Sequence, residues 1–226
     1  MEFHINSLYL CVKDMERAIK FYEDFFESVV AEKSDIYSVF DVNGFRLGLF
    51  AYEKKNEPHS FGSNCLPSIS VDSLSSMQEK LRGKSICFPI TRIKDNFVAE
   101  FIDSEGNHIE ITATYKLNEI IGKTVTVTVD RPLGSFHPKY KDMLYTVNYG
   151  YIDGLIAQDG EEQDAYILGV NKAVDTFTGR IIAVIRRADD VEEKWVVCPE
   201  NTTFSKDEII KQVEFQEKYF KSEIIM

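Results

Sequence analysis

The first half of the chain is written twice. V-K-D-M (12–15) recurs as V-D-S-L (71–74), and N-G-F-R-L-G-L (43–49) recurs as E-G-N-H-I-E-I (105–111). Around these anchors both copies run through the same elements. Asn6 to Val12 is strand-like and stops at Asp14, a residue suited to capping a helix. Met15, Ala18, Ile19, Tyr22 and Phe26 follow at three-to-four spacing, which predicts a helix. Ile36–Val42 and Phe45–Tyr52 then read as strands about Asn43-Gly44, a hairpin signal. In the second copy Leu66–Val71 is the opening strand and Asp72-Ser73 the cap. Leu74, Met77 and Leu81 make the helical stripe, and Phe97–Asp103 and Asn107–Thr112 are strands around Ser104-Glu105-Gly106. A repeated strand-helix-strands unit of about sixty residues predicts two modules sharing one sheet system.

The second half has another rhythm. Lys116 to Gly122 reads as a connector, so the sequence divides into domains at 1–115 and 120–226. Val125 to Val129 alternates strictly, as a half-buried strand does. Tyr166–Val170, Ile181–Ile185 and Lys194–Cys198 are further short strands. Ser205 and Glu208 form a capping-box pattern ahead of a last helix with Ile209, Val213 and Phe220 on one face. Short strands closed by one helix predict a small β-barrel. The expected class is α+β: paired strand-helix-strands modules, then a small β-barrel with a terminal helix.

Composition limits the function. The 226 residues carry a formal net charge of −11, spread over both halves, so neither half offers a basic face to nucleic acid. No apolar run approaches the ~18 residues that cross a bilayer, and the start of the chain (Met1, Glu2, Phe3, His4) has no basic-then-apolar signal. Cys11, Cys65, Cys87 and Cys198 are scattered without a C-x-x-C pair, the usage of reduced thiols in a cytoplasmic protein. An acidic protein that holds an anion must borrow positive charge, most simply from a metal.

The first half resembles the vicinal oxygen chelate superfamily, the glyoxalase and bleomycin-resistance fold, which implies βαβββ for each module. The resemblance rests on L-x-V-x-D-M-x-x-A-I-x-F-Y (10–22) and F-I-D-S-E-G-N-H-I-E-I (101–111). It implies metal ligands on the first and last strand of each module, at Ser7, Gly48, Leu66 and Glu110. Of these only Glu110 is a ligand, and a divalent site needs three or four donors. His4, three residues from Ser7 along a strand, faces the other side; His108, two residues from Glu110, reads as a surface residue. The module is therefore expected to be metal-free, with an unknown small molecule in its cleft or a docking role. Phe40, Phe45, Phe50 and Tyr52 would line that cleft or pack the core. By analogy with modules that pair through sheet edges, a homodimer is expected.

Chemistry-bearing residues concentrate further on. Asp153, Asp159, Glu161, Glu162 and Asp164 crowd one stretch behind Tyr145, Tyr149 and Tyr151, and Asp189-Asp190-Val191-Glu192-Glu193-Lys194 adds a second acidic run. A solvated turn is the commoner fate of such runs. Here, however, Asp164 runs straight into an apolar strand, and tyrosine hydroxyls accompany the acids. Carboxylates without His or Cys favour Mg²⁺, or Mn²⁺, over zinc.

Residues 122–224 resemble a shortened soluble (family I) inorganic pyrophosphatase, which implies an OB-like shape for the barrel. Tyr145-Thr146-Val147-Asn148-Tyr149-Gly150-Tyr151-Ile152 matches its tyrosine block, and Asp159-Gly160-Glu161-Glu162-Gln163-Asp164 stands for its D-x-D-P-x-D motif. The resemblance implies metal ligation by Asp159, Asp164, Glu192, Asp189 and Asp130, with Glu161 or Asp189 orienting water. Lys194, Tyr149, Tyr219 and Lys139 would hold the departing phosphate. The family's substrate arginine has no clear counterpart in the compressed stretch 132–144; Arg131 and His137 are both open. The function implied is Mg²⁺-dependent hydrolysis of pyrophosphate or a related phosphoanhydride. The alternatives are a catalytically degenerate binding or regulatory protein, or a glyoxalase-like small-molecule-binding protein.

Overall fold

The computed structural model describes residues 7–56, 60–62 and 66–226; His4 and Cys65 lie outside them. The chain folds as two compact units, residues 1–88 with 99–113, and residues 89–98 with 114–226. Both mix strands with few helices, so the α+β class holds. Among the described residues no helix is long and apolar enough to cross a membrane.

In the first unit, β1 (Ser7–Cys11) leads to α1 (Met15–Phe26), then β2 (Tyr37–Val42), β3 (Phe45–Phe50) and a 3₁₀ turn, Tyr52–Lys55. Asp14 caps α1 by accepting from Arg17 N at 3.0 Å, and Met15, Ala18, Ile19, Tyr22 and Phe25 are buried. Phe25 rather than Phe26 completes the stripe. Asn43 and Gly44 both have positive φ, 52° and 87°, the backbone of a tight hairpin turn. Strand β3 pairs with β2 antiparallel and with β1 parallel. The described part of this module is thus βαββ.

The second module is the full βαβββ: β4 (Ser68–Val71), α2 (Leu74–Leu81), β5 (Ser85–Ile93), β6 (Asn96–Ile102) and β7 (His108–Thr114). Sequence reasoning passed over β5, whose S-I-C-F-P-I-T-R-I has no clean alternation and contains Pro89. Its neighbours in the sheet run β5-β6-β7-β4. Phe97, Ala99, Phe101, Ile109, Ile111 and Ala113 are buried, so the intervening side chains of β6 and β7 share the opposite face.

From residue 114 the second unit runs through the short α3 (Leu117–Ile120) and β8 (Thr124–Arg131). It continues through β9 (Asn148–Ile156), β10 (Glu162–Ile167), β11 (Thr176–Arg187), β12 (Glu193–Cys198), α4 (Lys206–Glu217) and β13 (Ser222–Ile225). Five of these strands close into a barrel-like ring, because β8 pairs with β9 and β11, β9 with β10, β10 with β12 and β12 with β11. Asn148–Ile152 of the tyrosine block lies in strand β9, and Tyr145–Val147 lead into it. A Cβ on Gly150 would strike the Thr128 carbonyl, so glycine is what lets β9 and β8 close together there. The capping box of Ser205 and Glu208 is present. Helix α4 ends at Glu217, before Phe220, whose ring lies 3.6 Å from the Arg187 guanidinium carbon.

Candidate functional site

The first unit's E-G-N segment proves to be structural. Asp103 Oδ1 accepts from the backbone of Glu105 and Asn107 at 2.9 and 2.8 Å. Its Oδ2 accepts from Tyr22 Oη at 2.8 Å. Glu105 reaches back to the start of α1, accepting from Lys13 N at 2.6 Å, Asp14 N at 3.0 Å and Arg17 Nε at 2.7 Å. Asn107 Nδ2 donates to the Cys11 carbonyl at 2.9 Å. Burial alone would raise the Glu105 pKa, but these donors hold it below the usual range.

The four ligand places of the family pattern do not make a metal site. Ser7 is exposed, Leu66 offers no donor, and Gly48 is roofed by Tyr37, whose hydroxyl would lie 2.5 Å from any Cβ there. The expectation that His108 is a plain surface residue needs correcting. His108 Nδ1 stands 3.6 Å from Cys87 Sγ and 3.7 Å from Glu100 Oε2, and Cys87 Sγ stands 4.0 Å from Glu100 Oε2. Among the described residues this is the one group that brings three such ligand atoms within 4.8 Å of one another. A candidate metal site is therefore present in the module expected to lack one. Sequence reasoning missed it because Cys87 lies on β5, a strand no local pattern reveals, so nothing in the sequence sets it beside Glu100 and His108.

Of the cleft aromatics, Phe40 is fully buried and Phe45 is 43% exposed on the hairpin. Phe50 and Tyr52 belong to a group with Tyr9 and Tyr37. Tyr9 lies 5.9 Å from Phe50, 6.2 Å from Tyr37 and 6.4 Å from Tyr52 between ring centroids, and Phe50 lies 4.5 Å from Tyr52. The register Cys11–Phe50–Tyr37 and Tyr9–Gly48–Val39 puts these strand residues on one face. Leu10, Leu49 and Phe40 fill the other face, where Phe40 meets Tyr22 and Phe26 of α1.

In the second unit the structure gathers four of the residues singled out by sequence. Lys194 Nζ donates to Tyr149 Oη at 2.6 Å, to Asp164 Oδ2 at 2.5 Å and to Glu192. Glu192 also pairs with Arg187, which grips Glu217 at 2.7 and 3.1 Å and approaches Asp190 at 3.5 Å. Glu217 further accepts from Tyr166 Oη and Ser222 Oγ, each at 2.6 Å. Burial pushes Glu192 up. Burial would also raise Glu217, but Arg187, Ser222 and Tyr166 together pull it down. Tyr149 is driven well above the ordinary phenol by burial and by Asp164. Asp130 is raised by burial and by the charge of Asp164, against the pull of Arg131.

The remaining predicted residues go elsewhere. Asp159 and Glu161 are exposed on a turn, where Asp159 Oδ1 accepts from Glu161 N at 3.0 Å. Asp189 caps Lys221 N at 3.0 Å, and Asp130 pairs with Arg131. Lys139 and Tyr219 line a cavity of about 640 Å³ with His137, Tyr140, Lys141 and Phe220. The carboxylates assigned to Mg²⁺ thus do not converge on an open point. Lys194 and Arg187, 3% and 2% exposed, occupy the space between Asp164, Glu192 and Glu217, and Coulomb attraction to these cations supplies what an ion would. Sequence reasoning placed Glu193 in the second acidic run but gave it no role. It accepts from Arg92 at 2.6 and 3.3 Å, from Arg186 at 2.8 Å and from Tyr115 Oη at 2.5 Å.

Residues 4–111 match the family model of the Glyoxalase/Bleomycin resistance protein/Dioxygenase superfamily, which supports a glyoxalase-type domain over that stretch. No curated protein matches the chain. Among solved structures, a glyoxalase-related enzyme from Fulvimarina pelagi shares 16% identity at a TM-score of 0.43, covering 49% of this chain and 88% of its own. A lactoylglutathione lyase from Agrobacterium tumefaciens shares 17% at 0.39, covering 49% and 92%. A glyoxalase/bleomycin resistance protein from Albidiferax ferrireducens shares 16% at 0.42, covering 48% and 97%. None of these findings supports a pyrophosphatase in the second half.

Proposed function

We propose that this is a small-molecule-binding protein of glyoxalase type, with its ligand site on the aromatic face of β1, β2 and β3. The observation that carries the reading is the group of Tyr9, Tyr37, Phe50 and Tyr52 on the face turned away from α1. Tyr9 is 51% exposed there although its ring has aromatic neighbours. Rings held at centroid distances of 4.5 to 6.4 Å by their neighbours offer flat apolar area at little entropic cost, with hydroxyls at the edge. The ligand that suits them carries a flat apolar ring and a polar rim. The family model's name supports the reading, since glyoxalases, bleomycin-resistance proteins and dioxygenases are all named for small molecules.

The test uses the full chain and the dye 8-anilinonaphthalene-1-sulfonate, whose fluorescence rises in apolar sites. Saturable binding by the wild type, weakened about tenfold or more by Tyr9→Ala, supports the reading. Equal dye binding in wild type, Tyr9→Ala and Phe50→Ala overturns it.

One observation favours a second reading, of Mg²⁺-dependent phosphoanhydride hydrolysis in the second unit: Tyr149, Lys194, Asp164 and Glu192 touch one another. Phosphate release from pyrophosphate with Mg²⁺ or Mn²⁺ is compared between wild type and Asp164→Asn. No release by the wild type ends this reading, and equal release by both ends the assignment of the site. The resident Lys194 and Arg187 favour a barrel that has kept the fold and serves as a binding or structural partner.

A further inference from the structure

The geometry points to a zinc site made by Cys87, Glu100 and His108, three neighbours on adjacent strands of the second module. The site stands whether or not the aromatic face takes a ligand.

The separations of the three donors are the first argument. Cys87 Sγ stands 3.6 Å from His108 Nδ1 and 4.0 Å from Glu100 Oε2, the long reach of a weak sulfur hydrogen bond, and His108 Nδ1 stands 3.7 Å from Glu100 Oε2, beyond the ~2.7–3.2 Å of a sound bond between nitrogen and oxygen. The groups are therefore gathered with only weak contacts among them. A point equidistant from Sγ, Oε2 and Nδ1 lies about 2.2 Å from each. Zinc binds Cys sulfur at about 2.3 Å, His nitrogen at about 2.0–2.1 Å and carboxylate oxygen at about 2.0–2.2 Å. No backbone movement is needed for an ion to reach all three, only a shift of a few tenths of an ångström to turn the triangle into one face of a tetrahedron.

Donor chemistry is the second argument. A thiolate, an imidazole and one carboxylate suit zinc, whereas Mg²⁺ asks for oxygen alone. Placement is the third. Alternation along β6 and β7 sends Ala99, Phe101, Ile109 and Ile111 into the core and leaves Glu100 and His108 on the opposite face. There their side chains are 29% and 28% exposed, shielded enough to hold an ion and open enough to admit one. Cys87 is exposed. Three protein ligands leave a fourth position for water or a ligand atom, the arrangement of reactive rather than structural zinc. Glu110, two residues beyond His108 on the same strand face, sets a further carboxylate about 7 Å along the strand.

The full-length protein is stripped with a chelator and reloaded with Zn²⁺ or Co²⁺ alone. We expect one metal ion per chain by elemental analysis. With Co²⁺ we expect the near-ultraviolet thiolate-to-cobalt band and the strong visible bands of a tetrahedral ion. Cys87→Ala and His108→Ala should each weaken binding at least about a hundredfold and abolish the thiolate band. A measurement free of substitutions runs alongside: Zn²⁺ should slow alkylation of Cys87 in the wild type, read by mass spectrometry of its peptide. Failure of the wild type to take up either metal overturns the assignment. So does binding that survives Cys87→Ala and is lost in Asp164→Asn, as does Cys87 alkylation unchanged by Zn²⁺.

Discussion

The two units differ at the places where their chemistry-bearing side chains gather. In the second, every carboxylate of the central network meets a fixed cation: Asp164 and Glu192 meet Lys194, Glu192 and Glu217 meet Arg187, and Glu193 meets Arg92 and Arg186. In the first unit, Glu100 has His108 and Cys87 beside it, and among the described residues no lysine or arginine is paired with it. The acid-rich stretch of sequence therefore lies where the positive charge is already built in, and the donor-poor stretch lies where it is missing. Acid density is a poor guide to a metal. What decides is whether the fold supplies the compensating charge.

The comparison breaks most easily at Arg187. Its guanidinium is 2% exposed and is shared by Glu192, Glu217 and Asp190. Arg187→Met keeps an apolar side chain but removes the guanidinium that lies on Phe220 and leaves buried carboxylates without a partner. A loss of about 3–5 kcal/mol is expected, the usual cost of breaking a buried pair from one side. Urea unfolding followed by the single tryptophan, Trp195, which is buried in this unit, measures it. Pairing the change with Glu217→Leu should recover part of the loss. A shift below about 1 kcal/mol for Arg187→Met would mean that water, not Arg187, is the effective partner of these acids.

What the sequence revealed and what it hid follow the same division. The duplication was legible because repeated letters report repeated local geometry: Asn43-Gly44 takes the positive φ angles that its hairpin requires. Helix α4 was legible because its capping box is local in sequence. Strand β5 escaped, since Pro89 and irregular alternation mask a strand whose edges are set by partners far along the chain. Tyr149, Asp164, Glu192 and Lys194 are marked out by the sequence motifs, and in the structure Lys194 touches the other three. Their electrostatics could not be read, because Arg187 belongs to the apolar-looking strand β11 and Glu217 to the end of a helix. His108 was seen, but its partners Cys87 and Glu100 sit 21 and 8 positions away on separate strands.

A smaller effect sharpens the contrast from the first unit. There the buried Asp103 is served by hydrogen-bond donors rather than by a cation, Tyr22 Oη among them at 2.8 Å. Tyr22→Phe removes one of these donors while the backbone amides of Glu105 and Asn107 remain. The expected cost is about 1–3 kcal/mol, read from amide hydrogen exchange in α1 and β7. A cost as large as that of Arg187→Met would erase the distinction between a hydrogen-bonded and a charge-paired acid.

The smallest expected effect is in the acid range. Burial alone would raise Glu193 and Glu217, yet the donors around each hold it below an ordinary glutamate. A carboxyl with a depressed folded pKa contributes stability that is fully present above its unfolded value, about 4.3. That contribution is lost as pH falls through the folded value. Glu192 works the other way: raised by burial, it binds its proton earlier when folded than when unfolded, so its ionised form costs stability and the cost disappears on acidification. In this unit Glu193, Glu217 and Glu208 are lowered while Glu192 and Asp130 are raised, so it should lose stability as pH drops below about 4.3, with Glu192 and Asp130 blunting the slope. Glu192→Gln should remove its share of the blunting and steepen the decline seen by Trp195 fluorescence. A flatter profile in that variant would show that Lys194 and Arg187 keep Glu192 ionised in the folded chain, and that the network is held more tightly by its cations than burial suggests.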